Sequence, residues 1–527
     1  MFSILKQQTS ILSLILFLSY NLSYGICADN ENITSTTVIP EKQQNDIPVR
    51  NLTIKVKDTD LCTKCSCYES AKVLDCSYKN LTDWFTKDEL DAMINDDDDY
   101  TFETINLEGN LLKEIQEFPS LKNLKILNFH KNQIENITNG AFTKLFNLKY
   151  LSYNLLDTKT LDPDVFRGRY NPHLFEPMKN LTHLNLAGNK LHSLKPDLFI
   201  HFPRIEILNL SSNSFDHIDD LSNQAISSLG YVTEMDLSNM GLSQLPTYLF
   251  NHHKNDLKIL LLNNNKFEKI PSDAIGKAIN LETLYLNDNP FLQFDKENKF
   301  PILPNLKELH ISNCQNLLSI GSESLSGLQS LTELFITNNS KLKTIHPNAL
   351  AHFKFNSTEL GYPPLKNLSL NNNNIEILPR TLLAVENWHN IEEIDLRNNS
   401  WICTCKNDFL LNTLVFQLRK RTPNLLTNVN CHQPEEFYGV PIKNFNIKNG
   451  FKINCNDDED DTNGSNYGAI TGILIGIIIV IPLAFILFII YKRGCFGLIS
   501  NPNDPAKFSR AFYSRTNNSE EFIIFTI

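Results

Sequence analysis

Apolar residues recur at fixed offsets through the middle of this chain, in the pattern L-x-x-L-x-L-x-x-N-x-L. One example runs through Leu181, Leu184, Leu186, Asn189 and Leu191. The alternation L-x-L predicts a short strand that buries one side, and the polar residue after it predicts a turn. The pattern occurs about twelve times between residues 101 and 401, so one repeating unit fills most of the chain.

The spacing of the repeats predicts the fold. The asparagine position is occupied in turn by Asn110, Asn132, Leu156, Asn189, Asn213, Met240, Asn265, Asn289, Cys314, Asn339, Asn373 and Asn399. Most intervals are 22 to 27 residues, the period of leucine-rich repeats. We therefore expect an α/β solenoid, a leucine-rich-repeat horseshoe with a parallel sheet on its concave side. The recurrent asparagine should satisfy buried backbone groups between coils, with Cys314 as a small buried substitute.

Two intervals are longer than the rest, at 33 and 34 residues. They predict extra loop within residues 157–178 and 351–364, on the convex or lateral side.

One residue of each strand should project from the concave sheet, between the second and third apolar positions. In order these residues are Asn106, Asn128, Ser152, Asn185, Asn209, Asp236, Leu261, Tyr285, His310, Phe335, Ser369 and Asp395. The seventh to tenth predict an apolar-aromatic ladder about 15 Å long, since strands lie about 4.8 Å apart. Its polar rim would be Glu282, Lys307, Glu308 and Glu333. Such a stripe is typical of a protein-binding surface, although glycans, an inserted loop or drift are alternatives, and binding through the convex side stays open.

The two ends of the chain predict a compartment. Residues 1–28 carry a short apolar run and small residues at Gly25 and Ala28, which predicts a signal peptide cleaved after one of these two residues. A second run, 469–490, is 22 residues without a charge, enough to span a bilayer. An acidic run precedes it and Lys492-Arg493 follow it, which predicts a single-pass type I protein of the plasma membrane with its N-terminus outside.

Two even groups of cysteines flank the repeats. They are Cys62, Cys65, Cys67 and Cys76 before them and Cys403, Cys405, Cys431 and Cys455 after them. Disulfides are favoured over the zinc site that Cys-x2-Cys also permits, because the compartment is oxidising. Sequons on the same side of the membrane predict glycosylation at Asn32, Asn51, Asn80, Asn136, Asn180, Asn209, Asn338, Asn356, Asn367, Asn398 and Asn463.

These cysteine spacings resemble the capping modules of extracellular leucine-rich-repeat proteins. The resemblance implies that Cys403 pairs with Cys431 and Cys405 with Cys455, and it leaves the N-terminal pairing open. The layout is similar to short-tailed adhesion and receptor proteins of that family. The predicted organisation is a signal peptide (1–28), a disordered glycosylated linker (29–60), an N-terminal cysteine cap (61–100), the repeats (101–401), a C-terminal cysteine cap (402–456), an acidic stalk (457–467), a transmembrane helix (468–490) and a cytoplasmic tail (491–527).

Three features near the C-terminus predict further contacts. Gly468, Gly472 and Gly476 form a small-residue stripe that favours a homodimer. Cys495 is a palmitoylation candidate, with a plain free thiol as the alternative. The final Phe525-Thr526-Ile527 is compatible with a cytoplasmic PDZ-type adaptor.

Composition removes several classes of function. The net charge of −11 argues against nucleic-acid binding. No phosphate loop, H-E-x-x-H or G-x-S-x-G motif occurs, so we expect no enzyme, cofactor or metal. His252-His253 and the acidic run at 96–99 are interpreted as solvated loop residues. The leading hypothesis is an adhesion molecule, receptor or co-receptor for an extracellular protein, including one on a neighbouring cell. The alternatives are an innate-immune subunit that binds microbial glycan or lipid, and a matrix protein released by cleavage in the stalk.

Overall fold

The computed structural model describes residues 61–92, 102–155, 160–167, 178–251, 256–354 and 356–445, with 450, 451, 453 and 455. All of them lie within one compact unit, Thr59–Ile527. The predicted signal peptide, linker, stalk, membrane helix and tail fall outside the described residues, and so do the glycine stripe, Cys495 and residues 525–527. Within the described ranges, no helix is both long and apolar enough to cross a bilayer.

One sheet of fourteen strands runs through the described part of the chain, with the strands placed in sequence order. They are Ser66–Tyr68, Val73–Asp75, Thr104–Asn106, Ile126–Ile134, Tyr150–Leu155, His183–Asn185, Ile207–Asn209, Glu234–Asp236, Ile259–Leu261, Thr283–Tyr285, Glu308–Ser312, Glu333–Thr337, Asn367–Ser369 and Glu393–Asp395. The first two strands are antiparallel and the later neighbours are parallel. This is the parallel sheet of a leucine-rich-repeat solenoid, as the repeat spacing predicted.

The segments that return between these strands are mostly turns. Their helices, including those of the two ends, are Leu61–Lys64, Lys87–Ala92, Asp164–Arg167, Asp220–Ser227, Ser272–Ile275, Val385–Asn390 and Val415–Arg421. Short 3-10 or π segments are Glu69–Ala71, Arg380–Leu382, Cys405–Asn407, Phe409–Leu414, Pro423–Leu426, Glu435–Phe437 and Ile442–Asn444. The predicted solenoid is therefore confirmed in its strands, and the segments between them hold turns and short helices.

Minor strands lie outside the main sheet. They are Gln293–Phe294, Ser319–Ile320 and Thr344–Ile345 in one group, and the pairs Glu114–Ile115 with Asn136–Ile137, His352–Phe353 with Leu360–Gly361, and Trp401–Ile402 with Cys431–Gln433. The pair His352–Phe353 and Leu360–Gly361 is antiparallel and falls in the longer interval predicted at 351–364. The extra residues of that interval therefore form a small hairpin.

A buried side-chain amide joins most of the described coils to their neighbours. The Asn213 Nδ2 donates to the carbonyl oxygens of Leu210 in its own coil, at 2.8 Å, and Leu186 in the preceding coil, at 2.9 Å. Its Oδ1 accepts from the backbone N–H groups of Asn189 and Leu191, at 3.0 and 2.9 Å. Asn265 makes the same kinds of bond. The predicted structural role of this position is confirmed at these residues.

Cys314 occupies that position without an amide. Its thiol is fully buried and lies 3.7 Å from the Leu286 carbonyl oxygen and 3.6 Å from that of Ser312. Burial raises its pKa to about 12, so the thiol stays protonated at physiological pH. Cys314 is a small buried substitute, as the sequence predicted.

Phenylalanine rings fill the interior of the N-terminal coils. The ring centroids of Phe118 and Phe142 lie 6.5 Å apart, those of Phe142 and Phe166 6.0 Å, and those of Phe166 and Phe202 4.6 Å. All four side chains are buried. This row extends the inward leucines into one continuous apolar interior.

Disulfides close both ends of the described solenoid. At the N-terminal end Cys62 pairs with Cys67 and Cys65 with Cys76, which settles the pairing that the sequence left open in favour of disulfides rather than zinc. At the C-terminal end Cys403 pairs with Cys431 and Cys405 with Cys455, as the family resemblance implied. Strand Val73–Asp75, which ends beside Cys76, pairs directly with the first repeat strand and covers its edge.

Replacing a bridging asparagine should destabilise the solenoid. We expect Asn213→Ala to lower the free energy of unfolding by about 2 kcal/mol, because it leaves buried backbone groups without partners. Chemical denaturation of the purified full-length chain measures the change. Asn251→Ala, at an exposed asparagine, is the matched control and should change stability by less than about 0.5 kcal/mol. Equal effects of the two substitutions would contradict the bridging role.

Candidate functional site

The predicted outward residues form one continuous row across the concave sheet. Strand register pairs each with the next, from Asp75 and Asn106 at one end to Ser369 and Asp395 at the other. The strand register predicted from the sequence is therefore confirmed along the whole row, although Ser152, Asp236, Leu261 and Asp395 are buried within it.

Three of the four residues of the apolar-aromatic ladder stack on one another. The ring centroids of Tyr285 and His310 lie 4.3 Å apart with planes 17° from parallel. Those of His310 and Phe335 lie 4.4 Å apart with planes 10° from parallel. All three side chains are partly exposed. We call these three residues the aromatic stack.

The prediction that Leu261 is exposed is wrong. Only 4% of its surface is accessible, although its strand register places it beside Tyr285 on the concave side. It is not part of the main buried apolar cluster of the interior. Leu261 lies between Asp236 and the larger Tyr285, so we infer that neighbouring side chains on the sheet surface cover it. The exposed stripe therefore begins at Tyr285.

A carboxylate fixes the middle ring of the aromatic stack. His310 Nε2 and Glu308 Oε1 lie 2.7 Å apart, and Thr283 Oγ1 lies 3.4 Å from Glu308 Oε2. The hydrogen bond from His310 lowers the pKa of the Glu308 carboxyl against the opposing effect of burial. The imidazole is thus held by its neighbour on the same strand while it stacks between two rings.

Acidic side chains surround the aromatic stack. Burial raises the pKa of Asp236 and, together with the nearby Asp236 carboxyl, that of Glu234. Burial, with additional effects from Glu308, Glu234 and Glu333, raises the pKa of Tyr285 to about 12. The phenol of Tyr285 therefore stays neutral at physiological pH and lies in a negative potential.

An ion-pair ladder borders this acidic region. Glu282 lies 3.6 Å from Lys258 and 2.6 Å from Lys307, measured between carboxylate oxygen and ammonium nitrogen. Two of the four predicted rim residues, Glu282 and Lys307, therefore neutralise each other. Glu308 and Glu333 remain beside the rings.

The N-terminal half of the row is polar, and its side chains form hydrogen bonds with one another and with nearby backbone N–H groups. Asn128 Nδ2 donates to Asn106 Oδ1 at 3.1 Å. Asn185 and Asn209 each accept from a backbone N–H two residues later, at 2.9 and 2.8 Å. These amides form hydrogen bonds where the strands end. The aromatic stack is therefore the apolar part of the row.

A second outward row lies two residues earlier on each strand, and the sequence reasoning named only Glu308 and Glu333 of it, as part of the polar rim. It contains Glu234, Glu308, Glu333 and a ring pair, Tyr150 and His183, with centroids 6.4 Å apart. The same period-two alternation that identified the first row also locates this one. The sequence analysis followed only one outward position of each strand along the whole sheet.

The predicted sequons divide into three groups. Asn80, Asn136, Asn338, Asn356 and Asn398 are exposed, and Asn180, Asn209 and Asn367 are half-buried. Asn32, Asn51 and Asn463 lie outside the described residues. Asn209 and Asn367 are both on strands of the concave sheet, on opposite sides of the aromatic stack. A glycan on Asn367 would border the stack, whereas Asn209 lies three strands from Tyr285.

The alternatives for metal chemistry gain no support from the described part of the chain, which contains no group of three metal-ligating side chains. The acidic run at 96–99 and His252-His253 fall outside the described residues.

Comparisons with known proteins match parts of the repeat region. A family model described as leucine rich repeat matches residues 169–215 and 304–354. The chain is 26% identical over 280 residues to human Toll-like receptor 3, covering 53% of this chain and 26% of that protein. It is 24% identical over 355 residues to the zebrafish transforming growth factor beta activator LRRC33, covering 62% and 49%. The solved leucine-rich repeat domain of APL1B aligns with 73% of this chain and 94% of its own, at 18% identity and a TM-score of 0.41.

The chain spans about a quarter of the first relative and about half of the second. The comparisons support a leucine-rich-repeat protein whose relatives include receptors.

The burial of Leu261 predicts a measurable difference from an exposed leucine. We expect Leu261→Ala to lower the free energy of unfolding by about 2–3 kcal/mol, because it removes buried methyl groups from a packed position. Leu292→Ala is the matched control, since 55% of the Leu292 surface is exposed. Thermal and denaturant unfolding of the two variants measure the difference. Similar stabilities would show that Leu261 is solvated after all.

Proposed function

We propose that this leucine-rich-repeat protein is a cell-surface binding molecule that recognises an extracellular protein through the aromatic stack on its concave face. The observation that carries the proposal is a partly exposed apolar strip of three stacked rings, set in a row whose other outward members are mostly polar. Rigid aromatic side chains with a polar rim are favourable at protein interfaces, because they bury a large area and lose little rotamer freedom.

The extracellular setting is part of the same proposal. The disulfides at both ends are compatible with an oxidising compartment. The apolar run at 469–490, with Lys492 and Arg493 after it, favours anchoring as a type I protein. One relative is named as a receptor and another as an activator of a growth factor, which supports a receptor or co-receptor role.

The C-terminal features extend the proposal to partners. We propose close helix approach along Gly468, Gly472 and Gly476, acylation of Cys495, and an adaptor of PDZ type at the C-terminus.

The proposal predicts that binding depends on the stack and not on exposed aromatics in general. Cells that display the full-length chain are screened with purified extracellular proteins, and each captured protein is tested again on variants. We expect Tyr285→Ala and Phe335→Ala to weaken binding at least tenfold, since residues at the centre of an interface carry most of the affinity.

Tyr248→Ala and Phe353→Ala are matched controls, because these side chains are 64% and 63% exposed and lie outside the concave row. Undiminished binding in both stack variants would overturn the proposal. Capture of glycan arrays or lipid vesicles, but of no protein, would favour the innate-immune alternative. Surface staining of every variant checks that it folds and reaches the surface.

A further inference from the structure

The two ends of the aromatic stack differ. At one end, Tyr285 is followed in the row by the buried Leu261. At the other end, Phe335 is followed by Ser369, a short side chain that is only half-buried. From one strand to the next, the outward side chain therefore changes from a large ring to a hydroxymethyl group.

The orientation of the rings leaves one face of Phe335 open. Centroid separations of 4.3 and 4.4 Å are close to the spacing of about 4.8 Å between strands, so the stack runs along the row. The planes are nearly parallel, so the ring faces point toward the neighbouring strands. One face of Phe335 is covered by His310. The opposite face is turned toward the space above Ser369, and no ring of the described residues stacks there.

Carboxylates lie on both sides of that space. Glu333 is two residues before Phe335 on the same strand, and Glu393 holds the corresponding place two strands on. Among the described residues neither forms a salt bridge. The nearby cations are already paired: Asp395, the neighbour of Ser369 in the row, contacts Arg397 at 2.6 and 2.9 Å, and Lys366 lies 3.9 Å from Glu392. The remaining local charge is negative.

Resting on the proposed function, we infer that the space above Ser369 is a cation subsite, which takes an arginine or lysine side chain of the protein ligand. A cation held there would lie about one strand spacing from the Phe335 ring, within the range of about 6 Å for a cation–π contact. Glu333 and Glu393 would complement its charge. Arginine suits the subsite best, because its planar guanidinium stacks on an aromatic face and pairs with carboxylates at once.

A sequon overlaps the subsite. Asn367, Leu368 and Ser369 form an Asn-x-Ser sequence, so a glycan on Asn367 would stand beside the open face of Phe335. Any replacement of Ser369 other than threonine also removes this sequon. The test is therefore made in an Asn367→Gln background, in which no variant carries that glycan.

The test compares two peptides that differ only in charge. Dye-labelled (Arg-Gly)4 and its citrulline counterpart (Cit-Gly)4 are titrated against the purified full-length Asn367→Gln chain, and affinity is read from fluorescence anisotropy. We expect the arginine peptide to bind at least fivefold more tightly. Adding Phe335→Leu, which removes the ring, or Ser369→Leu, which fills the space, should abolish this preference.

Glu333→Gln should reduce the preference, whereas Glu135→Gln, which removes an exposed carboxylate elsewhere, should leave it unchanged. Equal affinity for the two peptides, or a preference retained in both leucine variants, would overturn the inference. So would an equal loss in Glu135→Gln, because it would mean that the net charge alone attracts the peptide. Denaturant unfolding of each variant confirms that it is folded.

The inference and the proposed function fail separately. If a captured protein loses binding in Tyr285→Ala but not in Ser369→Leu, the stack binds protein and the cation subsite is wrong. If neither variant loses binding, the proposed function is wrong as well.

Discussion

The structure depends on a side-chain amide that is buried between consecutive coils. At positions such as Asn213 and Asn265 it satisfies backbone donors and acceptors of two coils at once. An unpaired backbone group in an apolar interior is costly, so this bonding fixes how one coil lies on the next. A residue before it adopts positive φ, as at Ser212 and Asn264, and this conformation turns the chain out of the strand.

Because the coils stack in constant register, the repeat positions determine which side chains are neighbours on the concave face. Since each strand pairs with the next without a shift along the outward row, residues far apart in sequence become neighbours at one strand spacing. This register brings Tyr285, His310 and Phe335 to stacking distance of one another. The same regularity places Ser369 at the open end of the stack and brings the surrounding carboxylates together.

Two departures from the regular bridging asparagine show which variations the solenoid tolerates. Cys314 has no amide, yet its backbone N–H is still bonded by the Asn339 Oδ1 of the following coil at 2.8 Å. A coil that lacks the bridging amide is therefore still hydrogen-bonded to the coil after it. At the C-terminal end Asn407 continues the bonding pattern, donating to Glu376 and Ile402 and accepting from Leu378. The disulfide-bonded C-terminal end therefore continues the series of bridging amides while it covers the last coil.

The sequence by itself determined the coil phase, the parallel sheet and the outward row, because these follow from strand periodicity and repeat spacing, which are local. It also located Tyr285, His310 and Phe335. It could not determine the burial of Leu261 or the short helices of the returning segments. These depend on the sizes and charges of side chains that meet only across neighbouring strands, and the N-terminal disulfide pairing likewise depends on which cysteines the folded chain brings together. Only the tertiary structure decides such contacts, whether they join neighbouring strands about 25 residues apart or cysteines 5 and 11 residues apart.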